Sequence, residues 1–426
     1  MKPHTAVTST TVLPVSAADI DAAAERLQGV ASVTPLHISE RLSARAGTTV
    51  LLKREDLQQV RSYKIRGAYN LIAQLTPEQC AAGVVCASAG NHGQGVALAC
   101  AMLNVKSTIF VPSTTPRQKR ERMLALGGDN VRLVVGGETY DDSYRSAHQA
   151  AIDEGMVMVP AFDDVRTIAG QGTVAREIVE QLGRAPDVVL VPVGGGGMVA
   201  GVVTWLAEHC PETKVIGVEP AGAPCMLAAM TAGAPVALNA IDTFIDGAAV
   251  QKAGRIPYDI AAAHGLEIVT VPEGRVCSEM LELYQTEGII AEPAGALAPA
   301  AIGPWMPEPG QTVLAILSGG NNDISRYAEI IERSLIYEGR KHYFLVSFPQ
   351  EPGALRRFLD EVLGPSDDIT YFEYVKKSNR ELGPALVGVE LGSRDDYAAL
   401  RERMKTSNIQ VEEIDPQSTM FRYLLS

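Results

Sequence analysis

Four short segments of this chain carry residues suited to chemistry, and each is placed where a strand ends or a helix begins. The first is Ser62-Tyr63-Lys64-Ile65-Arg66-Gly67-Ala68. Lys64 stands between an aromatic and an aliphatic residue, ahead of an apolar helix expected over Ala68–Leu75. An amine held in such a setting can lose its proton and attack an aldehyde; a lysine alone is more often a surface residue. The second is Ser88-Ala89-Gly90-Asn91-His92-Gly93-Gln94-Gly95, between a strand and an Ala-rich helix. Small residues there leave backbone N–H groups open at a helix N-terminus, which suits a carboxylate or phosphate. The plainer alternative is a βα turn capped by Asn91. The third is Val193-Gly194-Gly195-Gly196-Gly197-Met198, after a strand over Val188–Val193 and before a helix over Val199–Glu208. Four successive glycines cost backbone entropy that a bare turn does not require. They let amides close around a phosphate, with the helix dipole adding up to about 2 kcal/mol. The run is not the dinucleotide pattern GxGxxG, and it lacks the lysine of a nucleotide P-loop. The fourth is Leu317-Ser318-Gly319-Gly320-Asn321, where Ser318 is either a functional hydroxyl or a turn residue.

The elements that must position these segments are legible as apolar runs. Val84–Ala87, Ile109–Val111, Val131–Val135, Val188–Val193, Val215–Glu219 and Val313–Leu317 each precede a turn and a helical pattern. Continuous apolar strands alternating with helices predict parallel sheets buried on both faces. Ligands in such sheets collect at the carboxyl ends of the strands, so the four segments are expected to share one cleft. The first ordered helix is expected at Ser16, a capping residue with Asp19 three positions on.

With 426 residues the chain is expected to form two or three domains. Ten aromatic residues fall after residue 340, where the pattern changes. Tyr343–Phe348 reads as a strand, Ala354–Val362 as a helix after Pro352-Gly353, and Ile369–Val375 and Leu386–Leu391 as strands around the polar loop Lys376–Pro384. A helix then carries Tyr397, Leu400 and Met404, and Ile409–Val411 begins a last strand. The order βαββαβ is ferredoxin-like. We therefore expect a catalytic domain over residues 1–335 and a separate α+β domain over residues 341–426.

The formal charge of −13 argues against nucleic acid and anionic membranes as partners. The basic run Arg117, Lys119, Arg120, Arg122 reads as a solvated helix face. The six cysteines include no CxxC pair, consistent with free thiols in a reducing compartment. The first fifteen residues contain no basic region followed by an apolar stretch, so no secretory signal is expected, and no run approaches the roughly 18 apolar residues needed to span a bilayer. A soluble, cytoplasmic protein is expected. His92 has no second ligand at a metal-binding spacing, so no metal is expected there.

Taken together and in order, SYKIRGA, SAGNHGQG, VGGGGMVAG and SGGN resemble the threonine dehydratase family, whose fold is the tryptophan-synthase-β type of pyridoxal-phosphate enzyme. The resemblance runs from about Leu36 through Glu332, and HYFLVSFPQEPGALRRFL resembles the ACT-like regulatory domain of the biosynthetic form. It implies an α/β chain with two parallel-sheet subdomains plus a C-terminal ferredoxin-like (ACT-like) domain. It also implies pyridoxal 5'-phosphate as cofactor. By position, Lys64 matches the cofactor-bearing catalytic lysine, and Asn91 the residue bonding the cofactor's 3'-oxygen. Gly194, Gly195, Gly196 and Gly197 with the Met198 amide match the phosphate loop, and Ser318 the hydroxyl facing the pyridine nitrogen. Ser88, Ala89, Asn91 and His92 match the substrate-binding turn.

The implied reaction is dehydration and deamination of L-threonine to 2-oxobutanoate and ammonia, at the start of isoleucine biosynthesis. Isoleucine would act as feedback inhibitor, opposed by valine, through a site near Pro352 and Gly353. A homo-oligomer, dimer or tetramer, is implied, and a partner subunit would complete the effector pocket. Two departures bear on relatives. Serine racemases carry a serine where this chain has Ala89, so racemisation is expected to be negligible. They also bind a divalent cation after Val-Glu-Pro, whereas here Val218-Glu219-Pro220 is followed by Ala221-Gly222-Ala223-Pro224-Cys225 without a second carboxylate. The rival readings are a catabolic serine/threonine dehydratase, a serine racemase, or a non-catalytic amino-acid sensor whose glycine loop holds a phosphate ligand.

Overall fold

The computed structural model describes residues 13–349, 351–374, 382–407, 409–415, 418 and 420–421. These divide into two compact units. The first runs to Glu273 and resumes over Glu282–Asn322; the second takes Gly274–Leu281 and everything from Asp323 onward.

The first unit contains two sheets. In the larger, the strands lie in the order Leu36–Ile38, Val50–Arg54, Val313–Leu317, Val188–Pro192, Lys214–Pro220 and Glu267–Val271. Only the first pairing is antiparallel. Every residue of Val188–Pro192 and Val313–Leu317 is buried, as central parallel strands covered by helices must be. The smaller sheet is wholly parallel, in the order Val131–Val135, Ser107–Val111, Val84–Ala87 and Val157–Met158. The helix Ala17–Arg26 opens on the expected capping box of Ser16 and Asp19. None of the six cysteines forms a disulfide.

Two helix starts differ from the sequence expectation. The helix expected from Ala68 begins at Lys64, and the one expected from Val199 begins at Gly197. In the first case the helix continues backward through the charged Arg66 because that guanidinium is buried between Glu55 and Glu177.

The second unit is built on an antiparallel sheet in the order Asp368–Tyr374, Leu382–Glu390, Lys341–Pro349 and Gln410–Glu413. With helices Ala354–Glu361 and Tyr397–Thr406 this is the βαββαβ arrangement. Phe344 and Phe358 are fully buried at its centre, each contributing about 1.5–3 kcal/mol of burial. This unit also includes the helix Tyr327–Tyr337, which is tied to the sheet where Tyr343 donates to Glu332 at 2.5 Å and Lys341 pairs with the same carboxylate. The compact unit thus begins upstream of residue 335. Most of the polar loop expected before Pro384 lies outside the described residues, as does Tyr423.

Candidate active site

Lys64 is the first residue of its helix, and what anchors that turn lies two residues on. Arg66 is 2 % exposed and donates to both oxygens of Glu55 at 2.8 Å and to Glu177 at 2.9 Å. Lys53, fully buried on the adjoining strand, pairs with Glu177 as well. Burial alone would raise the pKa of Glu55, but Arg66 reverses the effect and holds it below the usual value. Breaking such a buried pair typically costs about 3–5 kcal/mol, so the turn carrying Lys64 is firmly held. The Lys64 Nζ donates to the carbonyl of Ala161 at 3.1 Å and lies 5.0 Å from the centre of the Tyr63 ring. The neighbouring helix approaches closely. A Cβ on Gly95 would fall 3.0 Å from the Lys64 carbonyl oxygen, so the small residue of the second segment permits the first to sit beside it.

The strand end at Ser318 is stitched to the same turn. The Tyr63 amide donates to the Ser318 carbonyl at 3.1 Å, and the Gly320 amide to Arg61 at 2.9 Å. Ser318 is 3 % exposed, and its hydroxyl donates to the Ala294 carbonyl at 3.1 Å.

Asn91 faces across this junction. The helix Asn91–Leu103 has Gly90 as its N-cap and no side-chain cap bond, which overturns the alternative in which Asn91 caps it. Instead Asn91 Oδ1 accepts from Asn321 Nδ2 at 2.7 Å, and Asn91 Nδ2 donates to Glu292. These partners fix the amide orientation and leave the second Nδ2 hydrogen free for a ligand oxygen. Ser88 shapes the turn itself, its hydroxyl accepting from the Gly90 amide at 3.3 Å, and Ala89 is partly exposed beside it. His92 is buried with Nε2 2.8 Å from the Val159 carbonyl, so Nε2 carries the hydrogen and Nδ1 is an acceptor. Burial and then Lys64 lower its pKa to about 4, and it is neutral at pH 7.

Glu292 is the residue that sequence reasoning missed. It is 6 % exposed, and its carboxylate reaches so close to the fourth segment that a Cβ on Gly319 would lie 2.1 Å from it. Burial, reinforced by Asp246, raises its pKa to about 7 against the opposing bond from Asn91. The Glu292-Pro293 pair at a helix start was the only hint in the sequence, and it is indistinguishable there from an ordinary N-terminus. The metal-site question at Val218-Glu219-Pro220 has a structural answer for the glutamate. Glu219 is fully buried and accepts from the Met226 and Leu227 amides at 2.7 and 2.8 Å, so it serves the next helix as a cap.

The glycine run forms a walled hollow at the start of the helix Gly197–His209. A Cβ on Gly195 would strike the Phe162 ring at 2.3 Å, and one on Gly196 the Met226 side chain at 2.4 Å. Gly196 also has φ +93°, a conformation that favours glycine. The first-turn amides that follow have no acceptor within the helix. This is a cradle that any side chain would fill, shaped for a compact anion such as a phosphate. A nucleophilic amine, an amide donor, a buried hydroxyl and a phosphate cradle fit pyridoxal phosphate. Pro352 and Gly353, in the second unit, are exposed, with Gly353 as N-cap of the helix Ala354–Glu361.

Residues 27–319 match the family model for pyridoxal-phosphate dependent enzymes, and residues 332–424 match that for the C-terminal regulatory domain of threonine dehydratase. The chain is a pyridoxal-phosphate-dependent enzyme with a regulatory domain. Over 419 residues, 98% of each chain, it is 58% identical to the biosynthetic L-threonine dehydratase of Mycobacterium tuberculosis strain H37Rv. Among solved structures it is similar to the processed threonine deaminase isoform 2 of Solanum lycopersicum. The TM-score is 0.69 and the identity 38%, covering 74% of this chain and 92% of that one. Maize serine racemase also has a TM-score of 0.69 but 27% identity, covering 76% and 98%. The chain belongs to the biosynthetic threonine dehydratase family.

Proposed function

We propose that this enzyme expels the 3-hydroxyl of L-threonine as water and releases an enamine that takes up water to give 2-oxobutanoate and ammonia, with Lys64 as the catalytic residue. The observation that carries the site assignment is that Lys64, Asn91, Ser318 and the glycine cradle fall in one unit: backbone bonds join the Lys64 turn to Ser318, side-chain bonds join Asn91 to Asn321 and Glu292, and Lys64 shares the Ala161 carbonyl with Gln171, which abuts Gly197. When bound, pyridoxal phosphate supplies an electron sink for the bond to the substrate's α-proton. Gly194 to Gly197 and the Met198 amide would hold its phosphate, Asn91 Nδ2 would donate to its ring oxygen, and Lys64 Nζ would hold its aldehyde carbon. Ser318 offers the ring nitrogen a neutral partner worth roughly 1 kcal/mol. A carboxylate there would keep the ring protonated and strengthen the electron sink; a hydroxyl would favour prompt loss of the substrate's 3-hydroxyl. Lys64 Nζ would be the base that takes the substrate's α-proton. Ser88, Ala89 and His92 line the turn at which the substrate is held, and the neutral His92 adds no charge to it.

The product's place at the start of isoleucine synthesis makes isoleucine the expected inhibitor, with valine opposing it, received near Pro352 and Gly353. Differential binding of about 1.4 kcal/mol between two arrangements suffices for a tenfold response. Among the described residues no helix is long and apolar enough to cross a membrane, which accords with a cytoplasmic enzyme, and regulation of this kind accords with a homo-oligomer. The test is ammonia release from L-threonine and L-serine by wild type and Lys64→Ala. The variant should lose dehydration by several orders of magnitude and lose its borohydride-sensitive yellow colour. A variant with a tenth of wild-type activity would sink the assignment.

A further inference from the structure

Gln171 lies in the helix Val165–Leu182 and is 1 % exposed. Its Nε2 donates at 3.0 Å to the Ala161 carbonyl, the acceptor that also receives Lys64 Nζ. A carbonyl only accepts, so the amide must turn its nitrogen toward Ala161 and its oxygen away. That oxygen, Oε1, is buried and has no hydrogen-bond partner among the described residues. It abuts the glycine cradle: a Cβ on Gly197 would come within 2.6 Å of it. A buried acceptor left unpaired is costly, and its position identifies what would pair with it. An amide oxygen beside the cradle repels a fully ionised phosphate but binds one that retains a proton.

We propose that Gln171 is a positioning residue for the cofactor's phosphate, its Oε1 accepting a hydrogen bond from a protonated phosphate oxygen in the Gly194–Met198 loop. The site then selects the singly charged ester. This rests on the reading of that loop as the phosphate cradle. The ionisable groups of the surrounding elements are few. Lys64 Nζ is taken up in holding the cofactor. Cys225 donates its thiol to the Gly194 carbonyl at 3.3 Å, and Asp163 accepts from the Arg255 and Ile256 amides. Neither is placed to supply the missing donor to Oε1.

A free phosphate monoester gives up its second proton near pH 6, so the bound ester should be distinguishable. Phosphorus NMR of the full-length enzyme reconstituted with pyridoxal phosphate should show the singly charged resonance throughout roughly pH 6 to 8. A wild-type resonance at the doubly charged position overturns the proposal without any variant being needed. In Gln171→Met the resonance should move to the doubly charged position. Affinity for pyridoxal phosphate should fall about tenfold, as for one lost hydrogen bond to a charged group, while affinity for pyridoxal is unchanged. Equal weakening for both ligands, or for neither, overturns it, because Gln171 would then act on the fold alone or not at all. If the wild type binds pyridoxal as tightly as pyridoxal phosphate, the cradle reading fails, and this inference with it.

Discussion

Replacing Glu292 by glutamine should change how the stability of the catalytic unit depends on pH. In the fold Glu292 keeps its proton up to about pH 7, because it is buried and faces Asp246, despite Asn91 and Lys119 favouring the ionised form. In the unfolded chain it ionises near its ordinary value of 4.5. Between those two points the folded state binds the extra proton, so raising the pH drains stability; below 4.5 and above 7 the contribution is flat. By linkage the loss is on the order of 3 kcal/mol. Glu219, which also holds its proton to about pH 7, imposes a similar slope on wild type and variant alike and cancels in the comparison. Glutamine keeps the shape and an acceptor for Asn91 but cannot ionise. The assay is urea unfolding of the cofactor-free enzyme at several pH values from 5 to 8, followed by tryptophan fluorescence. Both tryptophans, Trp205 and Trp305, fall in the catalytic unit, so its transition is read alone. We expect Glu292→Gln to gain on wild type steadily as pH rises, by on the order of 3 kcal/mol in all. A difference that stays constant with pH would refute the burial argument.

Three further outcomes follow from the site. Gly195→Ala forces a Cβ against the Phe162 ring and should weaken cofactor binding by about 1–3 kcal/mol, measured by equilibrium titration; an unchanged affinity would mean that the hollow is not the cradle. Wild-type enzyme should form no D-serine from L-serine, whereas Ala89→Ser, placing a hydroxyl at that turn, should bring in slow racemisation without loss of cofactor; chiral chromatography decides, and D-serine from the wild type would contradict the reading of Ala89. A chain ending at Arg340 keeps every residue proposed to touch the cofactor and should turn over threonine without responding to isoleucine; undiminished inhibition would place the effector site in the catalytic unit.

The parts of this fold that were legible in the sequence are those where a single physical requirement dominates. Val84–Ala87 and Val313–Leu317 were readable to the residue because a strand in a parallel layer shows itself as an unbroken apolar run. The strand Val50–Arg54 was not, because Lys53 and Arg54 interrupt the pattern. Lys53 is nonetheless fully buried, its ammonium met by Glu177, Gln181 and the Thr34 carbonyl. Those partners lie far away in the chain, and no local window could have revealed them. The start of the lysine helix was misplaced for the same reason, since the carboxylates that bury Arg66, Glu55 and Glu177, lie outside the segment.

Within the proposed site the same division separates the residues that the sequence singles out from those it does not. Lys64, Asn91, the glycines and Ser318 belong to turns whose composition is unusual enough to be noticed locally. Glu292 and Gln171 are single polar residues at a helix start and within a helix, and their importance comes only from what the fold brings to them: an asparagine and a glycine strand end in one case, a carbonyl shared with Lys64 in the other. Each is an acceptor buried beside a position the cofactor is proposed to occupy, and each has its orientation set by protein partners, Asn91 and the Asn321 amide for Glu292 and the Ala161 carbonyl for Gln171. The first layer of the site therefore announces itself by motif, whereas the layer that holds it in register is dispersed through the chain. Substitutions in that second layer should alter protonation, affinity and stability before they abolish turnover. The pH-dependent gain expected of Glu292→Gln and the loss of phosphate selectivity expected of Gln171→Met are two measurable forms of that same distinction.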